Sequence, residues 1–129
     1  MEIITELFVV VDNRPGALGE LLGHLTKEKI NIEAVGLFQD IAKLSVSDVG
    51  RAMNALSRTN YQVERREVLR LDLDNKPGSF AFVASRLGAA GINIDYCYCT
   101  VGKRQKSAAV ILDVKNLEHA VSVLQGANL

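Results

Sequence analysis

DNRPGAL, Asp12 to Leu18, returns 62 residues later (74 − 12) as DNKPGSF, Asp74 to Phe80. In both copies an apolar run leads into Asp-Asn-basic-Pro-Gly and then into a helical pattern. Both copies also reach an Asn-Ile pair at the same distance, Asn31-Ile32 and Asn93-Ile94. One offset shared by a loop and by a later strand start marks a tandem repeat built around two strand-to-helix loops.

Working outward from the first loop, residues 3 to 11, IITELFVVV, read as a strand that stops at the turn formers Asp12-Asn13. Pro15 has a helix-compatible φ and lacks an N–H that a first helical turn would not use, so it is expected to open a helix. Leu18, Leu21, Leu22 and Leu25 follow at i, i+3, i+4, i+7, one face of that helix. Ile30 to Phe38 and Ile41 to Val46 read as strands joined by a turn at Gln39-Asp40. Asp48 can cap a second helix with Val49, Ala52, Met53 and Leu56 inward, ended by Thr59-Asn60. Tyr61 to Leu73 is a long strand-like stretch that closes one unit and opens the next.

The second unit repeats the order. Phe80, Val83, Ala84 and Leu87 form the helix face, and Gly91 supplies a C′ stop. Ile94 to Val101 and Ser107 to Val114 read as strands around a basic hairpin tip, Gly102 to Gln105. Asn116 caps a last helix with Leu117, Ala120, Val121 and Leu124 inward. The expected fold is α+β: two ferredoxin-like βαββαβ units, residues 1–66 and 67–129, with antiparallel sheets and helices on one face. Only QGANL follows Leu124, so the second unit is expected to have almost no closing strand of its own. An open sheet edge invites aggregation, and either Glu2 to Thr5 or a second chain is expected to cover it.

Composition narrows the function classes. The 129 residues, 48% hydrophobic, suffice for one ordinary domain or two small ones. Fifteen basic and fifteen acidic residues, net charge +0, argue against a dedicated nucleic-acid binder. No apolar run approaches a membrane span, and the acidic, alternating MEIITELFVV is unlike a signal peptide. Cys97 and Cys99, the only cysteines, sit two apart on a strand, a geometry that rarely closes a disulfide. A cytoplasmic setting is therefore expected, with the cysteines as small core residues. His24 and His119 fall on outer helix faces, so no metal site is expected. No Ser-His-Asp set, paired-carboxylate site, Walker loop or dinucleotide fingerprint occurs, and the chain reads as neither an enzyme nor a cofactor carrier.

The loops have a chemistry of their own. A helix N-terminus offers unpaired N–H groups and the positive end of the helix dipole, which suits a carboxylate. Gly16-Ala17-Leu18 and Gly78-Ser79-Phe80 supply such groups after Pro15 and Pro77. Asp12 or Asp74 can meet an ammonium, and Asn13 or Asn75 can donate and accept. Together these fit a free amino acid. The same residues also suit a plain strand-to-helix turn, and the local motif leaves both readings open. Tyr96 and Tyr98, expected on the open sheet face, suit an interface, a ligand wall or cross-strand packing. A ferredoxin-like sheet can also bind RNA, but this strand lacks the basic-Gly-aromatic signature.

DNRPGALGELLGHLTKEKINIEAV and DNKPGSFAFVASRLGAAGINIDYC resemble the ACT domain family of small-molecule-sensing regulatory modules. The resemblance extends over both halves and is shared with the regulatory parts of aspartate kinases and acetolactate synthase. It implies a non-catalytic regulatory protein that binds a small ligand, most simply an amino acid, where one module's loop faces a neighbouring module. By that analogy Asn31, Ile32, Asn93, Ile94 and Tyr96 line the far wall. It also implies a homodimer or larger homo-oligomer and a regulated enzyme as partner, with no nucleic acid or membrane. With no residues left over for a catalytic domain, a stand-alone tandem is expected. The alternative is a structural or oligomerisation module without ligand. If one loop alone is used, the second is favoured.

Overall fold

The computed structural model describes residues 1–100 and 105–127; most of the expected hairpin tip, and the last two residues, lie outside them. The elements run β1 (Glu2–Val10), α1 (Ala17–Lys27), β2 (Ile32–Phe38), β3 (Ile41–Val46), α2 (Val49–Arg58), β4 (Val63–Asp74), α3 (Ser79–Ala89), β5 (Ile94–Thr100), β6 (Ser107–Val114) and α4 (Leu117–Gly126). This is α+β, with two βαββ-α runs in the expected order.

The chain divides into two compact units, Thr5–Glu67 and Val68–Leu129 together with Met1–Ile4. In the first unit the strand order is β2-β3-β1-β4. In the second it is β1-β4-β6-β5, so the chain's opening residues occupy the place that a closing strand after α4 would take. Both orders put β1 and β3 of the first unit, and β4 and β6 of the second, in the middle, and those strands carry the buried apolar residues.

The first core gathers Leu7 and Val9 of β1, Ala42, Leu44 and Val46 of β3, Leu21 and Leu25 of α1, and Ala52 and Leu56 of α2. The second gathers Leu69, Leu71 and Leu73 of β4, Val110, Leu112 and Val114 of β6, Val83 and Leu87 of α3, and Ala120 and Leu124 of α4. Every second strand residue and every third or fourth helix residue is inward, as the periodicities demand. Asp48 accepts from the Arg51 N–H and Asn116 from the His119 N–H, so both second helices of the repeat are capped as expected. Gly91, one residue past the C-cap Ala90, has φ +74°, where glycine alone carries no Cβ penalty.

The cysteines require a correction. Cys97 pairs with Leu112 and Cys99 with Val110, so both do lie on the helix-facing side of β5. They are nevertheless exposed, not core. β5 is the outermost strand of its unit, and the buried cluster is centred on β4 and β6. Val35 and Leu37 on β2, the outermost strand of the first unit, are 41% and 44% exposed for the same reason. Each outer strand also carries an irregularity at the same repeat position, between Ile32 and Ala34 and between Ile94 and Tyr96.

The helix-free face of the first unit is not simply solvated. Glu6 is fully buried there and Lys43 nearly so. The Lys43 ammonium stands 4.8 Å from the ring centres of both Phe8 and Phe38, and the Arg66 guanidinium 4.2 Å from that of Phe8. Cations over ring faces meet the negative side of the π quadrupole, which offsets part of their desolvation.

Candidate functional site

Each loop is a tight turn feeding a helix. The Ala17 N–H donates to the Arg14 carbonyl over 3.3 Å, closing the four residues Arg14-Pro15-Gly16-Ala17. Gly16, at the third position, has φ +86° and ψ −14°. Those are the values of a type II turn, which favours Pro second and glycine third. The second loop is the same: the Ser79 N–H donates to the Lys76 carbonyl over 3.3 Å, and Gly78 has φ +90° and ψ −14°. Pro15 thus does not open the helix, which starts at Ala17. The turn itself accounts for Pro and Gly in both copies, and a Cβ on either glycine would meet nothing within 4 Å. Positive φ, not a close neighbour, is what requires glycine here.

Beyond the turn, the Glu20 N–H donates to Gly16 and the Phe82 N–H to Gly78. The N–H groups of Leu18 and Gly19, and of Phe80 and Ala81, have no acceptor among the described residues. Neither helix has a side-chain N-cap. Two donors per loop therefore stay open to an incoming acceptor or to water.

The side chains then separate the copies. In the first loop Arg14 Nη2 lies 2.8 Å from Glu20 Oε2, and its Nε 3.5 Å from Asp12 Oδ2. Hydrogen bonding and charge from Glu20, then from Asp12, raise the Arg14 pKa above its ordinary value, and the Arg14 bond holds the Glu20 carboxyl below its own. The adjoining hollow, about 260 Å³, is bounded by these three side chains and by Tyr61. Burial pushes the Tyr61 hydroxyl pKa up, and the nearby Glu20 charge adds to it. His24 packs edge-on to Tyr61, with ring centres 5.6 Å apart.

In the second loop the hollow is about 600 Å³, bounded by Asp72, Asp74, Lys76, Pro77, Gly78, Ser79 and Phe82. Lys76 Nζ lies 3.8 Å from Asp74 Oδ2. The place of Glu20 in the repeat (20 + 62) belongs to Phe82, 47% exposed. Asn75 is anchored to the neighbouring hairpin: its N–H donates to Lys106 O over 2.8 Å and its Nδ2 to Gln105 O over 3.0 Å. In the first loop it is the Val11 N–H that meets the hairpin, at Asp40 O over 2.9 Å.

Of the residues expected in a site, Asp12, Asn13, Pro15 and Gly16, and Asp74, Asn75, Pro77 and Gly78, are exposed together at their turns. Ala17 is buried at the floor of the first hollow, and Ser79 half-buried at the second. Leu18 and Phe80 pack against the two cores instead. The Asn-Ile pairs stand at the far end of each unit. Ile32 pairs with Val46, whereas Ile41, next to Phe38, pairs with Val10 beside the first loop. Likewise Ile94 pairs with Val114, while Ser107 pairs with Asp74 at the second loop. Neither unit folds its own Asn31-Ile32 or Asn93-Ile94 against its own loop. Asn31 is latched there through its N–H to Ser47 Oγ over 3.0 Å, and Asn93 Nδ2 donates to Asp95 Oδ1 over 3.1 Å. Tyr96, opposite Asp113, and Tyr98, opposite Ile111, are half-buried on the helix-free face.

Glu20, Tyr61 and Phe82 were missed by sequence reasoning. Comparing the copies position by position would have found the Glu20/Phe82 exchange; nothing local marks Tyr61. Among the described residues no group of three or more His, Cys, Asp or Glu is placed to hold a metal. No helix among them is long and apolar enough to cross a membrane.

The family described as an ACT domain pair matches residues 1–129. Among solved structures, a protein of Bacteroides thetaiotaomicron is 28% identical, with TM-score 0.88 over 98% of this chain and 89% of that one. The ligand-free regulatory subunit of aspartate kinase from Thermus thermophilus is 13% identical, with TM-score 0.72 over 98% of this chain and 94% of that one. Aspartokinase III of E. coli, in complex with lysine and aspartate, is 17% identical, with TM-score 0.61 over 97% of this chain and 30% of its own. A comparison with curated proteins gives no match.

Proposed function

We propose that this chain, which belongs to the family of ACT domain pairs, is a non-catalytic regulatory protein that binds a free amino acid at its second strand-to-helix loop. The observation that carries the reading is the second hollow. It is lined by Lys76, Asp74 and the helix-opening Ser79, and the next two N–H groups of that helix N-terminus, of Phe80 and Ala81, have no acceptor among the described residues. An α-carboxylate takes the N–H groups and Lys76, and an α-ammonium takes Asp74. About 600 Å³ also falls within the ordinary range of small-molecule sites, and the first hollow falls below it.

The proposed far wall is Asn93, Ile94 and Tyr96, or Asn31 and Ile32, of a second copy of the chain, because each unit holds its Asn-Ile pair away from its own loop. A ligand gripped by two copies favours the associated state, and that differential affinity is how it regulates. The first loop, Asp12, Asn13, Pro15, Gly16, Ala17 and Leu18, then serves as a structural counterpart, with Glu20 already occupying its cation. The likeness to aspartate kinase regulatory subunits supports a regulated enzyme as partner.

Thermal-shift measurements against the twenty amino acids at millimolar concentration test the reading. A ligand that binds only the native state raises the melting point by mass action. At least one amino acid is expected to do so, with a parallel rise in the dimer fraction. No shift from any of them would leave the reading without support and favour a purely structural assembly module.

A further inference from the structure

The two cysteines take no part in that reading. Free cysteine is among the most buried residue types, yet Cys97 and Cys99 are both free and exposed. Both stand on regular strand. Past the irregularity between Ile94 and Tyr96, β5 keeps step with β6, Cys97 opposite Leu112 and Cys99 opposite Val110. Those partners belong to the buried cluster, so the two thiols project from one face of an outermost strand.

Strand geometry decides what the pair can do. An extended strand rises about 3.3 Å per residue, which sets the two Cβ atoms roughly 6.6 Å apart. A disulfide needs Cβ atoms about 3.8 Å apart, so the two thiols cannot bond to each other while β5 stays paired with β6. A cation held linearly between two thiolates asks for less. Two metal–sulfur bonds of about 2.3 Å span ~4.6 Å, which the side chains reach by turning their sulfurs toward each other. Zinc fits the pair poorly, because it favours three or four protein ligands and no third His, Cys, Asp or Glu joins the pair among the described residues. A bare pair of thiolates is the donor set of a soft cation, for which copper(I) is the available monovalent choice.

We infer that Cys97 and Cys99 form a two-thiolate site for copper(I) on the outer strand of the second unit. Binding converts both thiols to thiolates, releases two protons and joins both sulfurs to one copper, with no change of oxidation state. The site shares no residue with the amino-acid hollow and stands whether or not that reading does.

The test is anaerobic titration of the reduced whole chain with copper(I) in competition with a chromophoric copper(I) chelator. One copper per chain is expected, with both thiols lost together to a thiol reagent. Cys97→Ser and Cys99→Ser are each expected to weaken binding at least tenfold while keeping the parent melting curve, because both side chains are exposed. Single variants that hold copper as tightly as the parent would overturn the site. So would two coppers per chain, which would make the thiols independent, or half a copper per chain with a dimer on size exclusion.

Discussion

Arg14 and Lys76 occupy the same position in two turns whose backbones match to within a few degrees at glycine, φ +86° against +90°. Their surroundings differ. Arg14 is shared between two carboxylates, Asp12 and Glu20. Lys76 has Asp74 as its only ion-pair partner among the described residues and shares its hollow with Phe82, which stands in the place of Glu20. An anion approaching the first loop must compete with a carboxylate already 2.8 Å from the guanidinium. At the second loop it meets an ammonium with one weaker partner and an apolar wall. The lesson is that the turn and the site are separate properties. Pro-Gly sets the backbone in both copies, and one residue a turn into the helix, Glu20 or Phe82, sets whether the loop's cation already holds a close carboxylate there.

The comparison can be broken at four levels. At the largest, Leu25→Ala and Leu87→Ala remove equivalent side chains, both fully buried, from the two cores. Each is expected to cost about 2–5 kcal/mol in urea denaturation. A variant costing under ~1 kcal/mol would show that the cores are not equivalent, because one of them collapses into the space.

Next, Phe82→Glu installs in the second loop the carboxylate that closes the first. Calorimetry with the amino acid giving the largest thermal shift should show binding weakened at least tenfold, about 1.4 kcal/mol or more. Unchanged affinity would move the site away from this hollow.

Gly16→Ala and Gly78→Ala measure the turns alone. With nothing within 4 Å of the new Cβ, each should lose only the left-handed backbone cost, about 1–2 kcal/mol, and the two losses should agree. A much larger loss at one position would reveal a contact that the other lacks.

The smallest effect is Glu20→Gln. Arg14 lowers the Glu20 pKa, so the pair's stabilisation is present above the carboxyl's ordinary value of 4.5 and is lost as pH falls through the lowered one. Both groups are solvent-exposed, so the melting-point gap between parent and variant should be slight at neutral pH, shrink with added salt and vanish in acid. A gap that persists under strong acid would mean that the glutamate acts through something other than its charge.

Much of the architecture was legible in advance because it is local. Leu18, Leu21, Leu22 and Leu25 mark a helix face by spacing alone, and Asp48, Asn116 and Gly91 mark helix ends by side-chain and backbone chemistry. Pro15 was misread because Pro-Gly suits a helix start and a type II turn alike, and the Ala17-to-Arg14 hydrogen bond with the positive φ of Gly16 distinguishes them. The cysteines were misread because alternation reports which face a residue takes, while burial depends on how far its strand lies from the helices.

By itself, the sequence determined the repeat, the element order and the place of the two strand-to-helix loops, since each rests on contacts between near neighbours in the chain. The tertiary structure alone decided that Met1–Ile4 joins the second unit, that Tyr61 borders the first hollow, and that Glu6 is buried on a helix-free face. It also set Asn75 against Gln105, thirty residues away. These depend on strand order and on pairings across long loops, for which periodicity carries no information. The Arg14–Glu20 pair lies between the two cases: both residues are plain in the sequence, but only the tight turn brings them within 2.8 Å.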